Sequence, residues 1–121
     1  MARILIVDDS PTEIRKISTI LESNNHEVIT ADNGADGVAV ARAEQPDLIL
    51  MDVVMPGMNG FQATRQLSKE DSTATIPIVL LTTKGAETDK VWGMRQGATD
   101  YIVKPVKEDD LVNRLRTAAQ G

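Results

Sequence analysis

Four short apolar runs each end in a polar side chain able to take part in chemistry. Asp8 and Asp9 follow Ile4-Leu5-Ile6-Val7, and Asp52 follows Leu48-Ile49-Leu50-Met51. Thr82 and Thr83 follow Ile78-Val79-Leu80-Leu81, and Lys104, with Pro105 behind it, follows Tyr101-Ile102-Val103. Brought together, the carboxylates would repel one another and resist ionisation unless a cation sat among them. With no cysteine and a single histidine in the chain, the donors are oxygens. Oxygen donors select a hard ion, Mg²⁺ or Mn²⁺. Mg²⁺ keeps several waters and commonly engages a phosphoryl oxygen, so the cluster points to phosphate chemistry. An aspartate carboxylate is also a nucleophile that forms acyl phosphates. A lysine and a cation would spread the charge of a transferring phosphoryl group.

Each residue alone has an ordinary reading. Asp8 and Asp9 could complement a helix dipole, Asp52 could be a turn residue, Thr82 a strand residue and Lys104 a surface lysine. Their joint placement at four run ends favours the site.

The elements that must position them follow from periodicity. The runs beginning at Ile4, Leu48 and Ile78 are continuously apolar, as expected of strands covered on both faces in a parallel sheet. Val28-Ile29-Thr30-Ala31 and Tyr101-Ile102-Val103 complete a set of five. Between them, Ile14, Ile17, Ile20 and Leu21 mark a first helix, opened by Ser10 as N-cap with Pro11 and Glu13 behind it. Val38 and Ala41 mark a second helix ending before Pro46. Phe61, Thr64 and Leu67 mark a third. Val91, Met94 and Ala98 mark a fourth, stopped by Gly97, and Leu111, Leu115 and Ala118 a fifth. Strand and helix thus alternate five times, which predicts a doubly wound α/β sandwich. In such folds ligands bind beyond the carboxyl ends of the strands, where the polar residues lie.

Composition narrows the function. The formal charge of −5, without a Lys/Arg cluster, argues against nucleic acid as a partner. The absence of cysteine removes disulfides and thiol catalysis. No apolar run approaches the ~18 residues that span a bilayer, and the N-terminus does not read as a signal peptide. A cytoplasmic protein without membrane insertion is expected.

Together, Asp8-Asp9, Asp52 followed by Met55-Pro56-Gly57 and Gly60, Thr82, and Lys104-Pro105 resemble the receiver domain of two-component response regulators. The resemblance covers essentially the whole chain. It implies a flavodoxin-like (βα)5 sandwich whose five-stranded parallel sheet has the order 2-1-3-4-5. It also implies Asp52 as phosphoacceptor, with Asp8, Asp9, Asp52 and the Val54 backbone carbonyl holding Mg²⁺. Thr82 would bond the phosphoryl group, Lys104 would pair with it, and Tyr101 would be a rotating aromatic switch. Val54 and Lys84 would flank the path of an attacking water. The segments Pro56 to Leu67 and Glu87 to Gly97 are more narrowly similar to single-domain, chemotaxis-like regulators of type IV pilus twitching motility.

The expectation is therefore one receiver domain over residues 1–121, without an output domain, acting as a monomeric phosphorylation switch rather than an enzyme. A chemotaxis-type histidine kinase would donate the phosphoryl group. An output protein would dock on the face of the fourth helix, fifth strand and fifth helix; alternatively the chain would act as a phosphate sink. A phosphorylation-independent interaction module is the competing reading. An aspartate-nucleophile phosphatase is disfavoured because Val54 stands where its second acid should be. A nucleotide-binding fold lacks its glycine loop. His26 is expected to be a solvated loop residue. Trp92 is expected to pack in the core or lie partly buried at the fourth helix's edge, a docking patch being the competing reading, and the run Glu108-Asp109-Asp110 to complement the last helix's dipole.

Overall fold

The computed structural model describes residues 1–83 and 87–120. Five strands alternate with five helices: β1 (Arg3–Val7), α1 (Pro11–Ser23), β2 (Glu27–Ala31), α2 (Gly34–Glu44), β3 (Leu48–Asp52), α3 (Gly60–Lys69), β4 (Ile78–Thr82), α4 (Glu87–Gln96), β5 (Asp100–Val103) and α5 (Glu108–Gln120). All strand pairs are parallel, in the order β2-β1-β3-β4-β5. Both the doubly wound class and the 2-1-3-4-5 order are as expected.

The continuous apolar runs are accounted for by side chains that alternate between two cores. Leu5, Val7, Ile49, Met51, Ile78 and Leu80 face one side, with Val38 and Ala41 of α2 and Ala63 and Leu67 of α3. Ile4, Ile6, Leu48, Leu50, Val79 and Leu81 face the other, with Ile17 and Leu21 of α1 and Leu111, Leu115 and Ala118 of α5. A strand alternates faces residue by residue, so a sheet covered on both faces must be apolar at every position. Leu50 is fully buried, and truncating such a residue to alanine costs about 2–5 kcal/mol.

Caps set where the helices begin and end. Asn59 and Gln62 make a reciprocal capping box at the start of α3, with both hydrogen bonds 2.9 Å long. Gln45, in the left-handed conformation, closes α2 ahead of Pro46. Gly97, at φ +111°, follows α4.

The fourth helix corrects one expectation. The spacing of Val91 and Met94 that marks this helix implies an apolar inner face, yet both are exposed, as is Trp92. Gly93 faces inward instead: a Cβ there would collide with Leu80. The helix packs on the sheet through a residue with no side chain, leaving its large apolar residues outside.

Candidate functional site

Because all five strands run parallel, their carboxyl ends share one edge of the sheet. Asp8 directly follows β1, Asp52 ends β3, Thr82 ends β4 and Lys104 directly follows β5. One oxygen from each of Asp8, Asp9 and Asp52 lies within 4.8 Å of the others. Asp8 and Asp52 are buried, and Asp9 is exposed.

Backbone contacts fix each member. Asp8 N–H donates to the Ala31 carbonyl at 3.1 Å, which carries the β1–β2 ladder one residue further. Its carboxylate Oδ1 accepts from the Ser10 N–H at 3.0 Å. Ser10 caps α1, its hydroxyl accepting from the Glu13 N–H at 3.3 Å. The reciprocal half of a capping box would need the Ser10 N–H, which Asp8 has taken. One carboxylate oxygen of Glu13 is consequently buried without a hydrogen-bond partner among the described residues. The link from Asp8 to the helix cap went unseen in the sequence, although the adjacency of Asp8, Asp9 and Ser10 was its signal.

Asp52 is held by the start of α3. The Gly60 N–H donates to the Val53 carbonyl at 2.9 Å, and a Cβ at Gly60 would collide with the Asp52 carbonyl oxygen. Only glycine lets the helix come this close. Lys104 N–H donates to the Thr82 carbonyl at 2.7 Å, and the Lys104–Pro105 peptide is cis. The Lys104 ammonium donates to Asp52 Oδ1 at 3.1 Å and to Asp8 Oδ2 at 3.3 Å.

The electrostatics follow from this crowding. Burial, reinforced by the Asp8 charge, pushes the Asp52 carboxyl up to about 6, against the opposing pull of Lys104. Burial works against the charged form of Lys104, but its hydrogen bonds and attraction to Asp52 and Asp8 outweigh it and raise the ammonium's pKa. Among the described residues the buried Thr82 hydroxyl oxygen has no hydrogen-bond partner, a costly state for a polar group.

The remaining expected residues are placed as follows. Val54 lies two residues past Asp52 and is 68 % exposed. Tyr101 is partly buried, its ring flanked by Lys90 Nζ at 4.9 Å and Arg114 Cζ at 5.6 Å from the centroid. Lys84 lies outside the described residues. His26 is not simply solvated: its Nδ1 accepts the Ala2 N–H at 3.1 Å. Trp92 is 49 % exposed rather than a core residue.

The donor set suits a hard cation. The three oxygens converge without nitrogen or sulfur donors, and the buried pair is only partly neutralised by one ammonium. No helix among the described residues is long and apolar enough to cross a membrane.

Comparison with known proteins agrees with this geometry. The family model for the response regulator receiver domain matches residues 4–116. Protein PilH of Pseudomonas aeruginosa is 60 % identical over 121 residues, the match covering all of both chains. Chemotaxis protein CheY4 of Vibrio cholerae superposes with a TM-score of 0.91 at 34 % identity, covering 98 % of each chain. The receiver domain of the sensor histidine kinase PA1611 of Pseudomonas aeruginosa, solved with magnesium coordinated in its active-site cleft, superposes with a TM-score of 0.92 at 29 % identity, covering 99 % of this chain and 98 % of that one. With the family's motif residues gathered on one edge of a 2-1-3-4-5 sheet, the chain belongs to the response regulator receiver domain family.

Proposed function

We propose that the protein is a phosphorylation switch in which Asp52 accepts a phosphoryl group from a histidine kinase. The observation that carries this reading is the convergence of Asp8, Asp9 and Asp52 within 4.8 Å, with Lys104 bridging the two buried acids.

In the proposed transfer, an Asp52 carboxylate oxygen forms a bond to phosphorus as the bond to the donor's leaving atom breaks, and the electron pair departs with the donor. Asp8, Asp9, Asp52 and the Val54 carbonyl would hold Mg²⁺, which neutralises phosphoryl charge when bound. The likeness to a receiver domain solved with magnesium in its cleft supports that ion. Lys104 would move its hydrogen bond from the free carboxylate to the phosphoryl oxygens. Thr82 has a buried hydroxyl without a partner among the described residues, which a phosphoryl oxygen would satisfy. Both contacts exist only in the phosphorylated state, so they supply the differential interaction that a two-state switch needs. Tyr101, at the α4–β5–α5 face, would carry the change to an output protein.

Full-length identity of 60 % with PilH supports a place in pilus-related two-component signalling, and we extend this to type IV pilus twitching motility downstream of a chemotaxis-type kinase. The chemistry is tested by incubation with acetyl phosphate and Mg²⁺ followed by intact mass measurement. A gain of about 80 Da that needs the metal and vanishes in Asp52→Asn is expected. Absence of a gain in the native protein, under conditions that label a known receiver, favours the phosphorylation-independent module. The pathway is tested by the twitching zone of a deletion strain, which should change and be restored by the native gene but not by Asp52→Asn.

A further inference from the structure

The face of α4 that looks toward α3 gathers basic side chains around a tryptophan. Gly93 points at Leu80 and fixes the helix's inner line. At 100° per residue, Lys90, Val91 and Met94 then fall on the side toward β5, where Lys90 lies over the Tyr101 ring. Trp92, Arg95 and Gln96 fall on the opposite side. There they line an open groove of about 580 Å³ with Arg65 and Lys69 of α3. The groove's end is formed by Gly97 against Ser68, since a Cβ at 97 would collide with that serine.

Charge gives this groove its character. Four cations elsewhere are held in ion pairs, Arg3 with Glu27 and Glu44, Arg42 with Glu70, Arg114 with Asp100 and Asp110, and Lys104 with Asp8 and Asp52, while Arg15, Lys16, Lys107 and Arg116 are unpaired among the described residues but do not gather in one groove with a tryptophan. Among the described residues, Arg65, Lys69 and Arg95 have no ion-pair partner, and no acidic side chain lines the groove. On a chain of net charge −5, three such cations around a half-exposed tryptophan make a local inversion of sign. Tryptophan and arginine are the side chains that most often anchor protein interfaces.

We propose that this α3–α4 groove is a docking site for an acidic, partly apolar segment of a partner protein, separate from the α4–β5–α5 face. Carboxylates of the segment would engage Arg65, Lys69 and Arg95, and an apolar side chain would cover Trp92. The groove is open and lined mostly by exposed residues, whereas small-molecule sites enclose most of their ligand; a protein segment therefore fits it better than a nucleotide. A second copy of the chain could offer only a different patch, such as Glu108-Asp109-Asp110. Such a head-to-tail contact does not close on itself without a fitting rotation, so a different protein is the better occupant.

Trp92 is the chain's single tryptophan and reports directly. The full-length protein is titrated with a short synthetic peptide of Glu, Asp and Leu, at low and high salt, while Trp92 fluorescence is followed. Saturable binding that weakens with salt is expected, and it should weaken by about tenfold or more in Arg65→Glu/Arg95→Glu. Arg15→Glu/Lys16→Glu on α1 carries the same net charge and should bind as the native chain does. Absence of saturable binding, equal weakening in both double variants, or equally tight binding of AMP would overturn the proposal. So would a fluorescence change that tracks protein concentration and sedimentation as an oligomer, which would assign the groove to a second copy. Circular dichroism of each variant separates lost docking from lost fold.

Discussion

The Lys104 ammonium reaches past the end of β4 to lie 3.1 Å from Asp52 Oδ1, joining the ends of two strands that are not neighbours in the sheet. The same ammonium holds Asp8 Oδ2 at 3.3 Å. One cation thus serves two buried carboxylates, which leaves the site short of positive charge. Burial raises the Asp52 carboxyl and the Asp8 charge adds to it, while the shortage of positive charge underlies the affinity proposed here for a divalent ion.

Asp52→Asn should stabilise the metal-free protein near neutral pH. The folded carboxyl titrates at about 6, raised from 3.8 by burial and by Asp8. Between those values the unfolded chain releases its proton first, so stability falls as pH rises through the window and the full cost is present above about 6. Removing the charge should recover on the order of 2 kcal/mol at neutral pH. Lys104 would keep its bond to Asp8. Urea unfolding in chelator should show this gain near neutrality and lose most of it at about pH 4. An equal gain at both pH values would mean that the charge is not its source.

Asp9→Ala separates ligation from folding. Asp9 is exposed, and among the described residues nothing donates to its carboxylate, so truncation should change stability by less than about 0.5 kcal/mol. Mg²⁺ affinity should fall by about tenfold or more, as one of few protein oxygens is lost. Calorimetric titration with Mg²⁺ tests the second statement and urea unfolding the first. Unchanged affinity would remove Asp9 from the ligand set.

Much of this site was legible because of what a parallel sheet does to sequence. Asp8, Asp52, Thr82 and Lys104 each end an apolar run, and parallel strands bring all those ends to one edge. The phase of α4 was not legible in the same way. Val91, Met94 and Ala98 have helical spacing, so an apolar-face reading turns them inward. The true inner residue, Gly93, carries no hydrophobic signal, and its role appears only when Leu80 is seen to fill the space beside it. His26 was misread for a related reason: the Ala2 N–H that it receives lies 24 residues away, and no local pattern encodes that contact. Ser10 shows a third case, since its backbone N–H had two competing acceptors and the sequence could not say that Asp8 would win over Glu13.

Lys104→Ala should uncouple phosphate from the output face more than it blocks phosphate entry. The nucleophile and the acid cluster remain, so labelling by acetyl phosphate should persist at a reduced rate. What is lost is a contact that differs between the two states, and a ligand shifts an equilibrium only through such contacts. Nuclear magnetic resonance of the phosphorylated variant should show amide shifts near Asp52, while those at Tyr101 and along α4 fall well below the native protein's. Native-sized shifts at Tyr101 would show that Thr82 alone carries the signal, or that the route is a different one.

His26 should make the fold lose stability in mild acid. Its Nδ1 accepts the Ala2 N–H at 3.1 Å, and Ala2 in turn accepts the Glu27 N–H at 2.9 Å at the start of β2. Only a neutral imidazole has a free lone pair at Nδ1; protonation would set two donors against each other. Burial, aided by the positive N-terminus, lowers its pKa from the ordinary 6.5. As pH falls below that ordinary value the unfolded chain therefore binds a proton first. The stabilising contribution is complete above about 6.5 and is lost progressively in more acid solution. Asp52 titrates in an overlapping window with the opposite sign, so the comparison belongs in an Asp52→Asn background. There, His26→Asn keeps an acceptor oxygen near the Ala2 N–H but cannot take up the proton. Its unfolding free energy should change less between about pH 7 and pH 5 than that of the histidine parent, by a difference on the order of 0.5 kcal/mol. Parallel curves for the two proteins would show that the imidazole titrates alike in the folded and unfolded chain, and that the bond to Ala2 does not depend on its charge.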